Sequence, residues 1–183
     1  MENQLRQFLN MLVAACVHID DEYFQLPQAG DDAVYRERVY CYELYHQLRI
    51  LWGGFPYSLG GEIDKSGHPL FRAGPYARSK PDLLVHVPGD MGQNLVVVEV
   101  KPATASLADM LSDIDKLSWF CGPPAEYYCG VLLVYGLDLE FRHARDRLTD
   151  AFDGPADARL LLMQHAGAGK PAELVAATDM HDR

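Results

Sequence analysis

From Leu95 to Lys101 the chain reads LVVVEVK, and few folds can hold such a run. β-Branched residues in an unbroken row favour a strand. Apolar side chains at both odd and even positions mean that the strand is covered on both faces. A strand of that kind lies inside a sheet with helices packed over it. Alternate side chains share a face, so Val96, Val98 and Val100 point one way and Val97, Glu99 and Lys101 the other. The strand rise puts the β-carbons of Glu99 and Lys101 about 7 Å apart. A carboxylate in such surroundings costs several kcal/mol unless an ammonium or a metal ion replaces its lost hydration.

The flanking sequence supplies partners for this strand. Asp82 to Val87 follows Pro81 and ends at Pro88-Gly89, and the short connection to Leu95 predicts an antiparallel pair. Upstream, Leu5, Phe8, Leu12, Cys16 and Ile19 recur at helical steps and predict a helix over 4–19. Pro27 and Gly30 interrupt the chain, and Asp31 or Asp32 then caps a second predicted helix that runs to Leu51 and stops at Gly53-Gly54. Tyr57 to Ile63 reads as a short strand, followed by a polar loop. Downstream, Ser106 with Asp109 forms a capping box for a helix whose buried face is Leu107, Leu111, Ile114, Leu117 and Phe120. A strand over Tyr127 to Tyr135, a helix from Glu140 to Phe152 and a strand from Arg159 to Gln164 complete the pattern. The expectation is an α/β domain over 1–165: a mixed central sheet flanked by helices, with an N-terminal helix and a weakly structured tail over 166–183.

Composition narrows the chemistry. The chain has 183 residues, enough for one domain with a sizeable core, and no apolar run approaches membrane-spanning length. The four cysteines form no CxxC pair and no zinc-like cluster with histidine, which fits buried thiols in a reducing cytoplasm. There is no GxSxG elbow, and AGAGK near Lys170 lacks both the spacing and the Ser or Thr of a phosphate-binding loop. The net charge is −10, with the acidic excess concentrated toward the two ends, so tight binding to a duplex by this chain alone is not expected.

Asp82 opens the strand next to Glu99. If the hairpin sets the two side by side, two carboxylates meet near one ammonium, and a hard divalent cation with oxygen ligands relieves their repulsion. Pro81-Asp82 followed seventeen positions after Asp82 by Glu99-Val100-Lys101 resembles the signature of the PD-(D/E)xK nuclease superfamily. The order helix, strand, PD strand, ExK strand, helix, strand over about residues 31–136 extends the resemblance to a restriction-endonuclease-like core. The resemblance implies that Asp82, Glu99 and the carbonyl of Val100 ligate Mg2+ or Mn2+, and that Lys101 orients the attacking water. It makes Glu43, in the preceding helix, a further metal-site residue. The implied activity is hydrolysis of phosphodiester bonds in DNA ahead of RNA, in the cytoplasm, in defence or repair. Arg72, Arg78 and Lys80, in the loop before Pro81, and Lys116 are candidate substrate contacts.

Each residue also has a plainer reading. Glu99 and Lys101 could form a salt bridge on an exposed edge strand, against which Val97 on their face argues. Asp82 could be a strand-entry aspartate, Glu43 a solvated helix position paired with Gln47 or Arg36, and Lys116 an i,i+3 partner of Asp113. Two further functions compete with the nuclease. One is a non-catalytic subunit that keeps the nuclease fold within a larger nucleic-acid-processing or defence complex, with protein partners supplying positive charge. The weaker one is a small-molecule hydrolase using the same metal.

Overall fold

The computed structural model describes residues 1–61, 75, 76, 79–137, 139–152 and 158–178. Its centre is a six-stranded mixed sheet of β3 (Ser58–Gly61), β4 (Leu83–His86), β5 (Asn94–Pro102), β6 (Cys129–Tyr135), β7 (Leu160–His165) and β8 (Glu173–Ala177), in that spatial order. β3, β4 and β5 pair antiparallel; β5, β6 and β7 pair parallel; β8 returns antiparallel to β7. The valine run is therefore β5, the third strand of six, with neighbours on both sides.

The alternation along β5 sorts the core into two layers. Val96, Val98 and Val100 pack with Leu5, Phe8 and Leu12 of α1 (Glu2–Val17) and Tyr40, Leu44 and Leu48 of α3 (Glu37–Leu51). Val97 packs on the other face with Met110, Ile114 and Leu117 of α4 (Leu107–Cys121) and Phe141 and Leu148 of α5 (Leu139–Phe152). The two parallel crossovers, β5–α4–β6 and β6–α5–β7, thus run over the same face. Ser106 caps α4 as its sequence demands: its Oγ accepts the amide N–H of Asp109 at 3.1 Å.

Close approach of α4 to the sheet depends on Gly130 in β6. A β-carbon there would stand 2.7 Å from Leu160 Cδ2 and 3.1 Å from Leu117 Cβ. The absence of a side chain lets the middle of α4 lie directly over β6, and with it the polar residues that α4 presents beside β5.

The architecture departs from the sequence expectation in two places. The second helix does not begin at Asp31 or Asp32. Asp31–Val34 forms β2, paired antiparallel with β1 (Leu26–Gln28) across a turn in which Gly30 has φ +85°, and α3 starts only at Glu37. A four-residue helix α2 (Asp21–Phe24) precedes this hairpin. The second departure is in the stretch 166–183, read as weakly structured. It contains β8, which β7 pairs antiparallel although the Ala- and Gly-rich stretch after His165 gives no strand signal of its own. Among the described residues no helix is long and apolar enough to cross a membrane.

Candidate active site

The site forms where β4 ends and β5 continues. Leu83 pairs with Val98 and Leu84 with Val97, so the next step outward sets Asp82 opposite Glu99. At that point Asp82 takes over from the strand: its Oδ2 accepts the Val100 amide N–H at 2.8 Å. The bond fixes the carboxyl against the backbone of the ExK segment.

Glu99 is 1% exposed. Its Oε2 lies 2.7 Å from Lys116 Nζ, and its Oε1 is buried with no hydrogen-bond partner among the described residues. Lys116 also reaches Asp113 Oδ1 at 3.0 Å, one turn earlier on α4. Asp113 sits on the buried stripe of α4 between Met110 and Leu117, and its other oxygen lies 3.3 Å from Lys101 Nζ. Lys101 in turn donates to Glu37 Oε2 at 2.9 Å and to the Val100 carbonyl at 3.3 Å. Glu37 occupies the first turn of α3, so α3, β4, β5 and α4 each contribute to one polar cluster.

Four carboxyls, those of Glu37, Asp82, Glu99 and Asp113, meet two ammoniums, those of Lys101 and Lys116. Fully ionised, the cluster carries two uncompensated negative charges in a largely dry place. Burial accordingly pushes the Asp82 carboxyl up to about 6, against the pull of the Val100 N–H. Glu99 is raised well above the usual carboxylate range, first by burial and then by the charge of Asp82, with Lys116 opposing. Burial alone would lower both lysines. The hydrogen bond that Lys101 donates to Glu37 and the charge of Asp113 hold Lys101 above its ordinary value, and Glu99 does the same for Lys116.

The cluster accounts for most of the residues singled out in the sequence. Asp82, Glu99, Lys101 and Lys116 come together, and the Val100 carbonyl lies beside Lys101. Lys116 makes the expected i,i+3 pair with Asp113 and reaches Glu99 as well. Glu43 is not among them. Its Oε1 accepts from Gln47 Nε2 at 2.6 Å, and its charge acts on Tyr23 of α2. Glu37 is the α3 carboxylate that points into the cluster. Lys80 is exposed, two residues before Asp82. Arg72 and Arg78 lie outside the described residues.

Glu37 and Asp113 were not singled out in the sequence. Asp113 carried a signal, a carboxylate at a helical step from Met110 and Leu117 on an otherwise apolar stripe. Glu37 was hidden by the misplaced start of α3.

Compared with protein-family models, with curated proteins and with solved structures, the chain has no match in any of the three.

The site's own chemistry must therefore carry the argument. Among the described residues no three His, Cys, Asp or Glu side chains converge as a ligand group for a metal. What the described residues offer is a pair, Asp82 and Glu99, close enough for the charge of one to act on the other, and a buried Glu99 oxygen without a hydrogen-bond partner among them. Mg2+ is commonly held by one or two carboxylates, its remaining positions filled by water and phosphate oxygens. The donor set fits such an ion, whose two positive charges match the surplus of the cluster.

Proposed function

We propose that this chain is a divalent-metal-dependent nuclease of the PD-(D/E)xK type, hydrolysing phosphodiester bonds in DNA ahead of RNA. One observation carries the reading. A carboxylate on a central strand, Glu99, is buried with an oxygen that none of the described residues satisfies, opposite a second carboxylate at the strand end. A purely structural ion pair would satisfy both oxygens or lie in water. The order of elements adds support: helix α3, the antiparallel strands β3, β4 and β5, helix α4, then β6 parallel to β5. That is the order the resemblance implies for a restriction-endonuclease-like core.

Asp82, Glu99 and the Val100 carbonyl would hold Mg2+ or Mn2+. The ion supplies Lewis acidity for the phosphoryl group and makes water easier to deprotonate. The chain's own side chains do the rest. Lys101, kept protonated by Glu37 and Asp113, faces the negative charge that develops on phosphate as water attacks phosphorus and the P–O bond breaks. Lys116 holds the Glu99 carboxyl in place, and Asp113 bridges the two lysines so that neither swings away. The Val100 N–H fixes Asp82 against the same strand.

The test is cleavage of linear, circular and single-stranded DNA, and of RNA, with Mg2+ or Mn2+. Asp82→Asn, Glu99→Gln and Lys101→Ala proteins are assayed beside the parent chain. We expect cleavage that needs the metal and falls by at least about 100-fold in each variant, the scale on which a charge-stabilising group contributes. Cleavage that survives all three substitutions would place the activity elsewhere.

Two observations favour the second reading, a non-catalytic subunit of nuclease fold. The net charge of −10 repels nucleic acid, and Lys101 is engaged by two carboxylates rather than left open to a substrate. Absence of cleavage on every substrate, with binding to a protein partner retained, would select it.

A further inference from the structure

On the α3 side of Asp82 lies a cavity of about 380 Å3. Its described lining is Cys41, Tyr42 and Tyr45 from α3, Gly61 at the end of β3, and Asp82 and Leu83 at the start of β4. The volume falls within the roughly 300–1,000 Å3 typical of small-ligand pockets. Three features of the lining limit what it can take.

The first is aromatic surface. Tyr42 is 62% exposed, on a helix that packs its other face into the core, and presents its ring to the cavity. Tyr45 stands one turn away on the same side and is held by a hydrogen bond from its hydroxyl to the Leu59 carbonyl at 3.4 Å. The second is charge. No lysine or arginine lines the described part of the cavity, and its one ionisable carboxyl is Asp82. Among the described residues the lining therefore offers no cation to a phosphate or another anion. The third is Gly61. A side chain at that position would extend over the Tyr45 ring, whose atoms lie 3.7 and 3.9 Å from where its β-carbon would be. With glycine, the space over the ring stays open.

We propose that this cavity receives the base of an unpaired nucleotide, stacked on Tyr42 and Tyr45, so that the favoured substrate is single-stranded nucleic acid. The inference rests on the nuclease reading above and names its substrate class. A flat, uncharged, π-faced group satisfies the lining, and a nucleobase is the part of a nucleic acid that has those properties. In a duplex both faces of each base are already stacked and its edge is paired, so only an unpaired base can enter. Asp82 belongs both to the cavity and to the charged cluster, which sets a base in the cavity next to the phosphate presented to Glu99 and Lys101. The acidic balance of the chain agrees with this mode. Stacking holds a single strand without the many phosphate contacts that duplex binding requires.

The experiment measures anisotropy of a short fluorescein-labelled oligonucleotide as single-stranded DNA, single-stranded RNA and duplex DNA, with Ca2+ in place of Mg2+ to suppress turnover. The parent chain is compared with Tyr42→Ala, Tyr42→Phe and Gly61→Val. The parent chain should bind single strands more tightly than duplex. Tyr42→Ala should weaken single-strand binding by roughly 5- to 150-fold, the range for loss of one base–aromatic stack. Tyr42→Phe should keep it, and Gly61→Val should weaken it by filling the space over Tyr45. The two single-strand arms report whether the ribose 2′-hydroxyl is tolerated. Single-strand affinity unchanged in both Tyr42→Ala and Gly61→Val, or no single-strand binding at all, overturns the proposal. Parallel cleavage assays with Mg2+ separate the two readings. Cleavage that depends on Asp82 but not on Tyr42 sinks the base pocket and spares the nuclease. Tyr42-dependent binding without any cleavage does the reverse.

Discussion

Among the described residues Glu99 holds Lys116 with one oxygen and nothing with the other, and Asp82 balances a backbone N–H against the loss of most of its hydration. Both residues therefore oppose folding when ionised. The sign follows from Asp82, whose carboxyl rises from its ordinary 3.8 to about 6 on folding. Between those values the native chain keeps a proton that the unfolded chain has released, so stability is lost as pH climbs through the window and stays lost above it. Asp82→Asn keeps an acceptor for the Val100 N–H and removes the charge. In the presence of a chelator we expect the variant to be more stable than the parent at pH 8, by up to about 3 kcal/mol. The gap should close as the pH is lowered to 4, as read from urea midpoints. A parent chain that is the more stable of the two at pH 8 would mean that Asp82 is well paired and not strained. The sequence already exposed this tension. Period-two alternation placed Glu99 with Val97 on one face, and the structure buries both. It could not show what α4 brings, because Lys116 reaches Glu99 and Asp113 reaches Lys101 through tertiary packing, which no local pattern encodes.

At the scale of elements, the site depends on how closely α4 lies on β6, and Gly130 sets that distance. Adding a methyl group there forces it against Leu117 Cβ, which is fixed to the α4 backbone, as well as against the more mobile tip of Leu160. We expect Gly130→Ala to cost about 1–3 kcal/mol, the usual penalty for overpacking, and to lift the part of α4 that carries Lys116 and Asp113. Gly122, at the end of the same helix, is a fitting control. A β-carbon there meets only ordinary contacts at 3.6 and 3.7 Å, and its φ of −90° suits any residue. Gly122→Ala should change stability little or raise it slightly. Equal losses in the two variants, measured by chemical unfolding, would show that the tight approach at Gly130 is not what positions α4. The elements with strong local signals were legible in the sequence: β4 and β5 between their prolines, α4 behind its Ser106 cap, β6 from its apolar run. Those held by partners were not. β2 took residues that looked like a helix start because β1 was there to pair with it, and this shift moved the first turn of α3 to Glu37. β8 likewise exists because β7 offers an edge.

For the whole molecule, charge is the property that decides between the two functional readings. The chain carries a net −10, of which the cluster at the end of the sheet accounts for two as a surplus of carboxylates over ammoniums. A nuclease uses that surplus to hold a divalent ion, whereas a scaffold must neutralise it with protons. An ion bound only by the folded chain stabilises it by RT ln(1 + [L]/Kd), about 2.7 kcal/mol at a hundredfold excess over Kd. For a chain of this length that corresponds to a rise in Tm of roughly 5–10 °C. Mg2+ or Mn2+ should produce such a rise in the parent chain and little of it in Glu99→Gln, where a ligand oxygen becomes an amide. NaCl at matched ionic strength separates binding from general screening of the acidic surface. A shift that is equal in parent and variant would place the ion elsewhere on the surface. No shift in the parent would mean that protons compensate the cluster, which removes the physical basis for catalysis and leaves the nuclease-fold subunit as the reading that fits.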